Sequence, residues 1–142
     1  MSTLVVVLIA TIAALAGATG IGVAVNRRSG VLRESDPAAQ PDMSELGLSD
    51  TGPTVLHFSA QWCGPCATVR RVVDQVCADL PDVAHVELDI DANPAAAKRL
   101  QVLSLPTTFI FDADGRQRYR TAGVPKAADL RTALLSLSPS GQ

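Results

Sequence analysis

Thr54-Val55-Leu56-His57-Phe58-Ser59-Ala60-Gln61-Trp62-Cys63-Gly64-Pro65-Cys66 carries two kinds of structural signal. Thr54 to Ser59 is a short, apolar, β-favouring run, which predicts a buried strand. Beyond it Val69, Val72, Val73, Val76 and Leu80 recur at helical spacing, which predicts an amphipathic helix from Cys63 to about Leu80, ended by Pro81. A C-x-x-C pair between a strand and a helix is chemically specific. The first cysteine sits at the helix N-terminus, where unpaired N–H groups and the macrodipole stabilise an anion. A lowered pKa yields thiolate, the nucleophilic form. The second cysteine lies one turn on, within reach of a mixed disulfide. Gly64 and Pro65 shape the turn, and the N–H that Pro65 lacks costs little in a first turn.

Downstream, Val83 to Ile90 alternates, with Ala84, Val86, Leu88 and Ile90 on one side and His85, Glu87 and Asp89 on the other. This predicts a strand with one well-buried face, on which His85 is an exposed residue. Asn93-Pro94 starts a short Ala-rich helix. Thr107 to Phe111 is a third strand, and Asp114-Gly115 a hairpin turn leading to a fourth near Arg118 to Ala122. Lys126 to Leu137 closes as a helix with Leu130, Leu134 and Leu137 on one stripe. The order β-α-β-α-β-β-α predicts an α/β sheet flanked by helices, with parallel strands joined by the first two crossovers and an antiparallel edge from the hairpin.

Upstream, Thr3 to Val25 is an unbroken run of apolar and small residues, and residues 1–26 contain no Lys, Arg, Asp or Glu. As a helix the run would span about 34 Å, enough to cross a hydrocarbon core. A cleaved signal peptide would want a basic start and a shorter apolar stretch. Arg27, Arg28 and Arg33 follow the run and nothing basic precedes it, so the N-terminus is expected outside and the C-terminal domain on the cytoplasmic side. The expected organisation is a transmembrane anchor over 1–26, a tether over 27–49, a domain over 50–138 and a tail over 139–142.

The net charge of -2 and the absence of a Lys/Arg cluster with aromatics give no footprint for nucleic acid. Three cysteines are too few for a disulfide scaffold. No second C-x-x-C or H-x-x-x-H stands near the pair, so no metal site is expected. Cys77 lies beside Val73, Val76 and Leu80 and reads as a small buried hydrophobe.

Trp62-Cys63-Gly64-Pro65-Cys66 is identical to the active-site signature of thioredoxins. The resemblance extends over about residues 50–137: the strand Val55–Phe58 with Ala60, Asp89-Ile90-Asp91 followed by Asn93-Pro94, Leu105-Pro106-Thr107 before a strand, and Gly123 before the last helix. It implies a thioredoxin fold, abbreviated at its N-terminal side and preceded here by the transmembrane helix. It further implies that Pro106 is a cis-proline facing the cysteines, and that Trp62, Gly64, Pro65, Leu105, Pro106 and Gly123 contact the substrate, with Val124 as a further rim residue. The chain also departs from the family. The buried acid usually found five residues before the tryptophan is His57, its usual basic partner is Glu87, and Ser59 and Ala67 replace a bulky aromatic and a basic residue.

By this resemblance Cys63 attacks a protein disulfide, Cys66 resolves the mixed disulfide, and His57 takes the proton of Cys66. The redox-active disulfide is the only cofactor implied. The partners implied are protein disulfides and a thioredoxin reductase or other dithiol donor, besides the membrane through residues 3–25. The alternatives are an extracytoplasmic reductant of the cytochrome-maturation type and a non-catalytic docking module.

Overall fold

The computed structural model describes residues 2–36 and 44–138. Pro37, Pro41 and Met43 of the expected tether, and the tail 139–142, lie outside the described residues. Nine elements are used below: α1 (Thr3–Arg27), β1 (Arg33–Glu34), β2 (Thr54–Ser59), α2 (Gly64–Ala78), β3 (Ala84–Asp89), α3 (Pro94–Arg99), β4 (Thr107–Phe111), β5 (Gln117–Ala122) and α4 (Ala127–Leu137). A 3-10 turn, Ser44–Leu46, precedes β2.

The sheet order is β1-β5-β4-β2-β3. β2 is central and buried at every position, as its continuous apolar run requires. Its side chains alternate between two cores. Leu56 and Phe58 join Phe109, Phe111, Leu100 and Leu46 on one face. Val55 joins Val69, Val73, Val76, Ile110, Leu130 and Leu134 on the other, under α2 and α4.

Three features differ from expectation. β2 and β3 are parallel, but β4 runs antiparallel to β2, so the second crossover does not make a parallel pair. The six-residue α3 is about 9 Å long, too short to return the chain along a whole strand. The chain instead crosses at the same end of the sheet and enters β4 at Thr107, opposite Phe58. Second, β3 has no well-buried face. It is an edge strand in this sheet, and all six of its residues are only half-buried. Third, part of the expected tether is structured. Arg33 and Glu34 pair with Arg120 and Tyr119, making β1, not the hairpin, the second edge.

The root of α1 is fastened beside that edge. Gly30 N–H donates to the Ala122 carbonyl at 2.6 Å. Gly30 has φ +79, and a Cβ there would lie 2.1 Å from the Val124 carbonyl oxygen, so only glycine fits. Gly123 (φ +88) abuts Ser29 and Gly30 in turn. None of the residues of α1 is buried against the domain.

Candidate functional site

Cys63 is the N-cap of α2, and its N–H donates to the Ala60 carbonyl at 3.1 Å. It is bonded to Cys66 as a disulfide, with an S–S distance of 2.10 Å. The two sulfurs differ in access: Cys63 is half-buried, while Cys66 is only 2 % exposed. A molecule approaching from solvent therefore reaches Cys63 before Cys66. Cys66 Sγ lies 3.9 Å from the Phe58 carbonyl oxygen, next in sequence to His57. Beside the pair, Trp62 is 70 % exposed, a large apolar surface with nothing over it.

The Leu105–Pro106 peptide is cis, as the resemblance implied. Pro106 is buried and Leu105 half-buried, and the Pro106 carbonyl accepts the N–H of Gly123 at 2.9 Å. This bond joins the loop before β4 to the turn after β5, so Leu105, Pro106, Gly123 and Val124 form one assembly. Gly64 and Pro65 are exposed in the first turn of α2. Leu103, 94 % exposed, is an apolar residue the sequence reading passed over. Its flanks, Val102 and Ser104, carry no periodic signal that would mark it.

His57 points to the α2 side of the sheet with Val55, and no part of it is exposed. It stands opposite Glu87 in register, and its Nε2 is 3.6 Å from Glu87 Oε1. Burial, the largest influence, pushes the imidazole pKa from 6.5 down to about 4, although Glu87 pulls it up. His57 is therefore neutral near neutrality. Glu87 is held at about 2, chiefly by its hydrogen bonds from Arg70, with Ser59 also donating to it. Arg70 Nε donates to Glu87 Oε2 at 2.7 Å.

His85 is not the exposed strand residue expected. Its side chain is 18 % exposed, and Nε2 lies 3.1 Å from His57 Nδ1 while Nδ1 lies 2.9 Å from Asp74 Oδ1. The alternation put His85 and Glu87 on one side of their own strand but did not say that this side is the one His57 shares. It could not show that Arg70 and Asp74, one turn apart on α2, would reach over to them. Cys77 is a free thiol packed at the border of the α2–α4 core, its pKa raised by burial. Among the described residues no group of His, Cys, Asp and Glu could hold a metal ion.

Comparison with known proteins follows this geometry. The thioredoxin family model matches residues 43–136. The chain is 42% identical over 88 residues to a thioredoxin of Mycolicibacterium smegmatis, covering 59% of this chain and 78% of that protein. It is 38% identical over 86 residues to a bifunctional thioredoxin reductase/thioredoxin of Mycobacterium leprae, covering 59% of this chain and 19% of that protein. Among solved structures, a mutant thioredoxin from Halobacterium salinarum superposes with a TM-score of 0.60 at 28% identity, covering 78% of this chain and 100% of the other.

Proposed function

The chain belongs to the thioredoxin family and is a thiol–disulfide oxidoreductase of thioredoxin fold, and on that premise we propose that it reduces protein disulfides at the cytoplasmic face of a membrane. The observation that carries this reading is the asymmetric pair at the start of α2, with Cys63 accessible at the N-cap and Cys66 buried behind it. In the reduced form the helix N-terminus favours the Cys63 thiolate. That thiolate attacks a substrate disulfide and releases one substrate thiolate. Cys66 then attacks Cys63 Sγ, restoring the Cys63–Cys66 bond and releasing the second. Trp62, Gly64, Pro65, Leu105, Pro106 and Gly123 are the proposed substrate contacts.

His57 is the proposed acceptor of the Cys66 proton. It lies on the face under α2 and is neutral, and its Nε2 has no hydrogen-bond partner among the described residues. With Glu87 it forms an acid–base pair of reversed polarity relative to the family pattern.

Direction and placement rest on different support. A reducing cytosol keeps such a pair as the dithiol, which favours reduction of substrates. A relative that joins a thioredoxin reductase to a thioredoxin in one protein supports a thioredoxin reductase as the donor of electrons. α1 is long and apolar enough to span a membrane, though a signal sequence meets the same description. Arg27, Arg28 and Arg33 at its C-terminal end favour the cytoplasmic side for the domain. Because the root of α1 is fastened to Gly123, the dithiol would work close to the bilayer. We assign the anchor to residues 1–26, the catalytic domain to 50–138 and the tail to 139–142. Residues 27–49 form the connection, within which β1 belongs to the sheet.

Trapping tests the function. Cys66→Ser should hold substrates on Cys63 as mixed disulfides that mass spectrometry identifies, and Cys63→Ser should hold none. A Cys63→Ser protein that kept its cellular role would make the domain a docking module instead. A phosphatase fused after Gln142 should be inactive. Strong activity would put the domain outside, leaving the dithiol chemistry as it is.

A further inference from the structure

A proton accepted by His57 cannot stay there. The imidazole has no exposure to water, and its surroundings are mixed. From β3 it faces Glu87 and His85, from α2 Arg70 and Asp74, and from β4 the uncharged Thr108. Burial, His85 and Arg70 disfavour a charge on it, while Glu87 and Asp74 favour one, and its pKa settles at about 4. Near neutrality a proton must leave as it arrives.

We infer that His85 and Asp74 form the outlet by which the proton of Cys66 leaves the interior. This rests on the reading of His57 as acceptor and extends it to two residues without a place in the family signature. The two imidazole planes are inclined by 24° with centroids 5.1 Å apart, and His57 Nδ1 and His85 Nε2 are within hydrogen-bond reach at 3.1 Å, so an N–H on either nitrogen can be donated to the other. His85 Nδ1 continues the line to Asp74 Oδ1 at 2.9 Å, and the Asp74 side chain is 61 % exposed. Each neutral imidazole has one donor and one acceptor. With His57 protonated on Nδ1 and His85 on Nδ1, both N–H groups are used and His57 Nε2 is left bare.

The step balances. Cys66 S–H gives its proton to His57 Nε2, His57 Nδ1–H passes one to His85 Nε2, and His85 Nδ1–H passes one to Asp74 and then to water. The Cys66 thiolate forms a bond to Cys63 Sγ. The Cys63–substrate bond breaks, and its electron pair leaves with the substrate sulfur, which takes a proton from water. The dithiol is oxidised by two electrons and the substrate disulfide reduced. Both histidines end in the opposite tautomer, with His57 Nε2–H facing Glu87 Oε1. When a donor dithiol reopens the Cys63–Cys66 bond, Cys66 leaves as thiolate, a proton returns along the same line, and the tautomers reset. Glu87 steadies one end of this exchange and Asp74 opens the other.

The test uses the reduced full chain carrying Cys77→Ala, in detergent, and a dithionitrobenzoate probe, which then releases one coloured thiolate when Cys63 attacks and a second when Cys66 resolves. Stopped-flow recording separates the two. His85→Phe should slow the second release about tenfold near neutrality and leave the first at its normal rate. Asp74→Asn, at an exposed site that does not threaten folding, should slow the second release about threefold and shift its pH profile. Added imidazole should restore the rate of His85→Ala in a saturable way. A second release that is unchanged in His85→Phe, or one that is slowed with an unshifted pH profile and no rescue, overturns the outlet. His57→Phe separates the two readings. If it slows the second release while His85→Phe does not, the outlet fails and the acceptor stands. If neither does, both fail.

Discussion

The rim of the dithiol site and the floor beneath it are built from neighbouring segments, yet only the rim matches the family signature letter by letter. Trp62 to Cys66 and Leu105-Pro106 stand as that signature has them, and Gly123 keeps its place before the last helix. The floor has been rebuilt: His57 stands where the resemblance expects a buried acid, Glu87 where it expects a base, and His85, Arg70 and Asp74 complete the set. On the proposed reading the rim presents a sulfur, an apolar surface and a fixed backbone to another protein, and few residues do each job. The floor, on the same reading, exchanges only a proton, which an imidazole beside a carboxylate can do as well as a carboxylate beside an amine. Relative to that expectation the acid and the base have changed places: the carboxylate stands on β3, and the residue on β2 is a neutral imidazole.

The largest effect should come from the rim. Cys63→Ser should lower disulfide turnover by about a thousandfold or more while leaving thermal unfolding near its original midpoint. A smaller loss would mean that Cys66 alone can begin the reaction, which its burial argues against.

The floor should show itself in stability against pH. Unfolded, His57 takes a proton near its ordinary 6.5, whereas folded it resists until about 4. Between those values the unfolded chain binds more protons, so stability is full above 6.5 and falls as the pH drops toward 4. The loss should be on the order of 3 kcal/mol. His57→Phe should flatten the slope between 6.5 and about 4.5 and leave the acid loss from Glu87, whose folded pKa of about 2 lies below its ordinary 4.5, so that its contribution is lost below 4.5. Urea titrations across the range check this. An unchanged slope in His57→Phe would show that the floor does not hold its imidazole neutral.

Next comes the joint between anchor and rim. Gly30→Ala puts a methyl 2.1 Å from a backbone oxygen at positive φ, and should cost about 2 kcal/mol in thermal unfolding of the domain. A cost near zero would mean that the root of α1 is not fastened to Val124. The smallest effect belongs to neither region. Arg131 and Asp79 pair at 2.6 Å between α4 and the end of α2, with Asp79 exposed and Arg131 half-buried. Asp79→Asn should change stability by less than about 0.5 kcal/mol.

How much of this could be read in advance divides along the same line. The rim was legible because strand, helix N-terminus and C-x-x-C occupy one short stretch, and because the signature residues are named by their types. The floor was half legible. Strand alternation put His85 and Glu87 on one side of their strand, and the parallel register in the structure pairs His57 with Glu87. Which influence would set the His57 pKa depends on burial, which a sequence does not state. The pairing of His85 with Asp74 depends on the angle at which α2 crosses β3. Two other features were hidden because they depend on context. The sense of β4 turned on how far a six-residue helix can carry the chain, and β1 is only two residues long, too short for alternation to register.

Reduction of protein disulfides through Cys63 and Cys66 is the activity we propose for this chain. The most direct measurement is dithiothreitol-driven reduction of insulin by the detergent-solubilised full chain, followed by precipitation of the free B chain. The account predicts a rate clearly above the uncatalysed control that disappears in Cys63→Ser. A rate equal to the control, with circular dichroism showing the domain folded, would contradict it.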